Sequence, residues 1–161
     1  MENASNEYLR NAVLTASPEQ LHLMLYDGAI RFTKQGIEGI QSQNWEQTFN
    51  GLARAQKIIL EMSNSLNHDV DPQLCARMAA LYNFVYRKLV DASVQRSADL
   101  AREALGLIEY QRETWVMLLD KLRREGVPSG TASQARAERS ADPSTIRKSG
   151  ADVYGTLSIE G

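Results

Sequence analysis

Apolar residues recur along this chain at the three-and-four spacing of a helix that faces a core, in four long stretches each opened by a capping residue. The first opens at Ser17-Pro18-Glu19-Gln20: an N-cap serine, a proline at the first helical position and a glutamine three residues after the cap. Leu21, Met24, Leu25, Gly28, Ala29 and Phe32 follow on one face, and the helix should fade near Ser42. A second row, Leu23, Ile30 and Ile37, repeats every seven residues on another face. Asn44 caps the next helix, with Trp45, Leu52, Ile59 and Leu66 in one heptad row and Thr48, Ala55 and Met62 in its companion. Asp71-Pro72 starts the third, whose stripe reads Leu74, Met78, Leu81, Val85, Leu89 and Ala92. Tyr82, Phe84 and Tyr86 fall off that stripe. Ser97 caps the fourth, with Ala101, Ile108, Trp115 and Leu122 in one row and Ala104, Gln111 and Leu118 in the other. Lys121, Arg123 and Arg124 suit the negative end of its dipole, and Gly126 and Pro128 stop it.

The flanks differ. Residues 1–16 form a separate opening segment in which Tyr8, Leu9, Ala12 and Val13 fall at helical spacing. So short a helix is marginal alone in water, so it is expected to lie on the rest of the protein. From Val127 small and polar residues dominate and no stripe appears, so residues 127–161 read as a disordered tail. Val153-Tyr154-Gly155-Thr156-Leu157-Ser158-Ile159 is its one apolar stretch, either a floppy end or a short linear motif. The expected fold is all-α: an antiparallel four-helix bundle over residues 17–126, preceded by a short helical segment.

Composition narrows the function. Of 161 residues, 43% are hydrophobic and 24% charged, which suits one soluble domain. The formal net charge of -2 argues against nucleic acid as a partner. No apolar run is long enough to insert in a membrane. Cys75 is the single cysteine, so no intrachain disulfide can form and a reducing cytosol is the expected setting.

Chemistry is sparse. Glu19 and His22 match one E-x-x-H of a di-iron bundle, but no second such pair exists. His22 on a bundle helix also leaves open a phosphotransfer or signalling role. Cys75 has no histidine placed to activate it and reads as a small packing residue. No glycine-rich phosphate loop occurs, and no cofactor is implied. Gly28, Gly36, Gly51 and Gly106 lie inside predicted helices, where each costs up to about 1 kcal/mol against alanine. Close approach of another helix is as good an account as tolerance for Gly28; for the others tolerance is the simpler one. The surplus of apolar rows, Leu23, Ile30 and Ile37 together with Tyr82 and Tyr86, is the main functional clue: either a wide core or an exposed groove for a partner helix.

Leu14-Thr15-Ala16-Ser17-Pro18, followed by Leu21-His22-Leu23-Met24-Leu25-Tyr26-Asp27-Gly28, resembles the signature of the flagellin export chaperone family FliS. Ala55-Gln56-Lys57-Ile58-Ile59, the run from Leu81 to Ala92 and Arg112-Glu113-Thr114-Trp115 continue the likeness, which covers residues 4 to about 124. The resemblance implies a non-enzymatic chaperone that binds the C-terminal segment of flagellin in the cytosol, prevents premature polymerisation and helps deliver it to a flagellar type III export gate component. An export chaperone for another flagellar client is the nearer alternative. The resemblance also matches Tyr8 to a tyrosine of the family's N-terminal segment, with a lid or docking role, although Ser5 stands where members often carry another aromatic. Partner contacts are thus expected at Tyr8, Leu23, Ile30, Ile37, Tyr82 and Tyr86.

Overall fold

The computed structural model describes residues 2–69 and 71–126. The expected tail, 127–161, and its apolar stretch from Val153 to Ile159 lie outside the described residues. Five helices make up the described chain: α1 Glu2–Thr15, α2 Pro18–Gln41, α3 Trp45–Asn64, α4 Pro72–Gln95 and α5 Ala98–Arg124. No strand occurs among the described residues.

The caps set these boundaries. Ser17 Oγ accepts from the Gln20 backbone N–H at 3.2 Å, and the Ser17 N–H donates back to Gln20 Oε1 at 3.1 Å. This reciprocal box satisfies two donors that the first turn leaves without helical partners. Asn44, Asp71 and Ser97 accept from the N–H three residues on at 3.1, 3.2 and 3.2 Å, starting α3, α4 and α5. Only two residues, Arg96 and Ser97, join α4 to α5. Arg96 takes a left-handed conformation at φ 51°, and its guanidinium stacks 4.2 Å from the centre of the Trp45 ring. Trp45, expected in the inner row of α3, is partly exposed under that cation.

The packing closes on itself: α2 lies against α3 and α5, and α4 lies against the same two helices. On α3 the buried row is Thr48, Leu52, Ala55, Ile59, Met62 and Leu66; on α5 it is Ala101, Ala104, Ile108, Gln111 and Trp115. Both match the heptad rows read from the sequence. The Trp115 indole N–H donates to the Glu19 carbonyl at 3.2 Å, tying α5 to the start of α2.

Glycine makes the contact between α2 and α3 close. A Cβ on Gly51 would sit 2.6 Å from Gly36 N, 2.8 Å from Phe32 O and 3.0 Å from Gly36 Cα. A Cβ on Gly36 would meet Leu52 Cδ2 at 2.6 Å, and one on Gly39 would meet Thr48 N at 2.5 Å. The tolerance reading of Gly36 and Gly51 is therefore corrected: these glycines let two backbones touch. Gly28 meets the end of Ile58 at 3.2 Å, and Gly106 faces open space.

The opening segment departs from expectation. α1 is helical but makes none of the main contacts between helices, and Tyr8 is 76% exposed.

Candidate partner-binding surface

The site begins with how α2 distributes its side chains. Its buried residues step by fours and threes: His22, Tyr26, Ala29, Thr33 and Gly36. These residues are small or carry a polar group, and Tyr26 and Thr33 are hydrogen-bonded within the core. Tyr26 and Tyr82 share a hydrogen bond between their hydroxyls at 3.0 Å, and Thr33 Oγ1 donates to the Ala29 carbonyl at 2.7 Å. The large apolar residues expected inside (Leu21, Met24, Leu25 and Phe32) are only half-buried on the flanks. Most of the large apolar core side chains come from α3, α4 and α5, with Tyr26, Ala29 and Ile37 from α2, which keeps its other large apolar residues at the edge.

His22 is 2% exposed, with its ring edge-on to Tyr26 and Trp115 at centroid distances of 4.8 and 4.4 Å. Burial pushes its pKa down to about 3, so the imidazole is neutral at pH 7. A ring enclosed in this way is not open to a phosphodonor in this conformation, which weighs against the phosphotransfer reading. Cys75 is equally buried, and its Sγ donates to the Asn67 carbonyl at 3.2 Å. Burial raises its pKa, with the nearby Asp71 charge adding to the effect. It is a packing residue held in thiol form.

The residues singled out from the sequence separate into two groups. Leu23 and Ile30 are half-buried on α2, Tyr86 is half-buried on α4, and Tyr8 is exposed on α1. These four remain reachable by a partner. Tyr82, at 1% exposure, and Ile37, at 8%, are core residues. The placement of both on an accessible face is therefore corrected. On α4 the inward row is Cys75, Met78, Tyr82, Val85, Leu89 and Ala92, so position 82 rather than 81 turns inward. The phenol can be buried because Tyr26 meets its hydroxyl. Ile37 lies one step around α2 from Gly36, at the end where α2 and α3 come closest.

Other apolar residues take the outer positions. Leu81 and Phe84 on α4, Phe49 and Leu60 on α3, and Tyr110 and Met117 on α5 are exposed. Leu81, expected in the inner stripe of α4, is corrected to this outer surface; for the other five a signal existed, since each falls outside the rows read for its own helix, where a solvated face would carry polar residues. Ion pairs run between these rows. Arg112 binds Asp27, and Lys34 lies 3.8 Å from Glu109, both bridging α2 and α5 beside Leu23 and Ile30. Such exposed pairs contribute about 0–1 kcal/mol each, so they mark register more than they stabilise. The surface holds apolar rows and scattered charges, which suits capture of an amphipathic segment.

The family model described as "Flagellar protein FliS" matches residues 1–122. The chain belongs to the FliS family. It is 32% identical over 130 residues to the flagellar secretion chaperone FliS of Bacillus subtilis, covering 81% of this chain and 96% of that one. It is 26% identical over 112 residues to the Campylobacter jejuni protein of the same name, covering 70% and 88% of the two chains. The Salmonella typhimurium relative is 25% identical over 114 residues, covering 70% and 84%. FliS is a family of chaperones, not of enzymes, in keeping with a surface built of apolar rows. Among the described residues no helix is long and apolar enough to cross a membrane. The FliS match ends within α5, so residues after 122 lie beyond it.

Proposed function

We propose that this protein is a cytosolic flagellar export chaperone that binds the C-terminal segment of flagellin, keeps it from polymerising and helps present it to a component of the flagellar export gate. The observation that carries this reading is the division of labour on α2: a small, polar inner stripe and a large apolar outer surface. A partner's amphipathic segment gains by covering Leu23, Ile30 and Tyr86, and nothing in the core need open for it. Coupled folding of such a segment typically buries 1,000–3,000 Å² and costs about 2–5 kcal/mol in ordering. Long apolar rows supply that area, and no catalytic group is needed.

The platform is an antiparallel four-helix bundle of α2 to α5. Three things support this architecture: the closed ring of helix contacts, the two-residue link from α4 to α5, and the opposite running of contacts along α2 and α3, where Gly39 meets Thr48 and Gly28 meets Ile58. α1, with Tyr8 outward, serves as a docking segment rather than a lid. Residues 1–16 and 17–126 then divide docking from client holding.

Affinity purification of the full chain from cytosol of a flagellated host tests the client. Flagellin should be the main protein retained. Retention of a different exported flagellar protein, with flagellin absent, would favour the alternative client and overturn this one.

A further inference from the structure

Arg31 of α2 and Arg54 of α3 converge on one aromatic ring. The guanidinium carbon of Arg31 stands 4.9 Å from the centre of the Phe32 ring, and that of Arg54 stands 5.4 Å from the same point. The two cations are therefore no more than about 10 Å apart. The close approach of the helices brings them together: a Cβ on Gly51, one turn before Arg54, would lie 2.8 Å from the Phe32 carbonyl oxygen. Phe32 is half-buried, while both arginines are exposed. The negative face of the ring offsets part of the repulsion between two guanidiniums held this close. The rest stands, because among the described residues neither arginine has an ion-pair partner. Asp27, one turn before Arg31, is held by Arg112 of α5. Glu38 and Glu61 follow Arg31 and Arg54 by two helical turns, about 10 Å along their helices.

Two guanidiniums that share one carboxylate, each through N–H donors about 2.8 Å from its oxygens, sit about 8 Å apart. The spacing around Phe32 admits that arrangement. Arginine can rest its face on a ring and still direct its edge N–H donors at an anion, which lysine cannot do. Beside the cations the seam between α2 and α3 turns apolar. Ile58, half-buried one turn after Arg54, ends 3.2 Å from the place a Cβ on Gly28 would take. Gly28 is itself one turn before Phe32, so an apolar step adjoins the paired cations. We propose that Arg31, Phe32 and Arg54 anchor an acidic segment of a protein partner, with an Asp or Glu carboxylate between the guanidiniums and a neighbouring apolar side chain on Ile58. Charge complementarity selects this occupant, since a carboxylate relieves the repulsion that the ring leaves in place. The anchor lies on the α3 side of α2, whereas Leu23 and Ile30 stand beside the ion pairs to α5. It is a second contact surface and does not depend on the client proposed above.

Nitrogen-15 NMR of the arginine Nε–H groups in the full chain tests this with two probes, acetyl-Leu-Glu-Leu-amide and acetyl-Leu-Gln-Leu-amide. Neither carries client sequence, so failure here and failure of the flagellin reading are separable. The glutamate peptide should shift the Arg31 and Arg54 signals along one saturation curve, with a dissociation constant on the order of millimolar, and the glutamine peptide should shift neither. Arg54→Gln, at an exposed position, should weaken binding roughly threefold to fivefold. Phe32→Leu keeps both charges but removes the ring that stations them, and should weaken binding by a similar factor with the helical melt as a check on folding. Lys57→Gln removes the same charge from the same helix away from the ring and should have little effect. Equal response to the two peptides, separate curves for the two arginines, or equal weakening by Lys57→Gln would overturn the proposal and leave a solvated basic surface. A shift produced by inorganic phosphate but not by the glutamate peptide would overturn it too, since the arginines would then take a phosphate instead.

Discussion

Alanine at Gly51 and alanine at Gly106 should move stability in opposite directions, although both glycines lie inside helices. At Gly51 the new methyl would stand 2.6–3.0 Å from three backbone atoms of α2, which cannot rotate away. Ordinary carbon contact begins near 3.4 Å, so α2 and α3 must part by about 1 Å. Overpacking of this kind costs about 1–3 kcal/mol. The helix-propensity gain of up to about 1 kcal/mol offsets only part of it. A net loss of about 1–2 kcal/mol is expected, or roughly 4 °C in Tm per kcal/mol for a domain of this size. At Gly106 no atom lies within 4 Å, so only the propensity gain remains, and stability should rise by up to about 1 kcal/mol. Urea unfolding followed by helical circular dichroism reads both. Equal stabilisation by the two alanines would refute the close contact of α2 and α3 and the reasoning built on it.

Further outcomes follow from burial. Leu52→Ala, in the innermost row of α3, should cost about 2–5 kcal/mol through a cavity, measured by the same unfolding curves. His22 has a folded pKa of about 3 against a reference value of 6.5, so the unfolded chain binds the extra proton between those values and stability falls as pH drops through that window. From about pH 7 to pH 5 the loss should be near 2 kcal/mol, and His22→Asn should remove that part of the pH dependence whatever it does to stability at pH 7. Tyr8→Ala should leave unfolding within about 0.5 kcal/mol of wild type, because Tyr8 is exposed, yet reduce flagellin export in a swimming assay if α1 docks.

The helix limits were open to reading from Ser17, Asn44, Asp71 and Ser97 because capping is local: the cap and its N–H partner lie three residues apart. The inner rows of α3 and α5 were equally plain, since one large apolar residue per turn faces the core. On α2 the same rule misled. Its inner stripe contains His22, Thr33 and Gly36, chosen for fit against α3 and α5, while larger apolar side chains sit outside. On α4, Leu81 and Tyr82 are adjacent and both bulky; Tyr82 turns inward in the row of Cys75 and Leu89, and its hydroxyl meets that of Tyr26, far away in sequence. The same limit applies to Gly36 and Gly51, whose role depends on each facing the other. Half of the candidate surface was thus visible as surplus apolar rows, and the rest depended on contacts between helices that periodicity alone does not encode.

Calorimetric titration of the full chain with the C-terminal segment of flagellin, repeated with Ile30→Asp, tests the central claim most directly. Ile30 is half-buried at the edge of α2, so a carboxylate there can reach water while removing apolar contact. A lost side-chain contact of about 1.5–3 kcal/mol corresponds to roughly tenfold or greater weakening. The account predicts saturable binding by the wild type, at least tenfold weaker binding by Ile30→Asp, and an unchanged helical melt for the variant. Binding of wild type and variant with equal affinity, or no binding by the wild type, would contradict it.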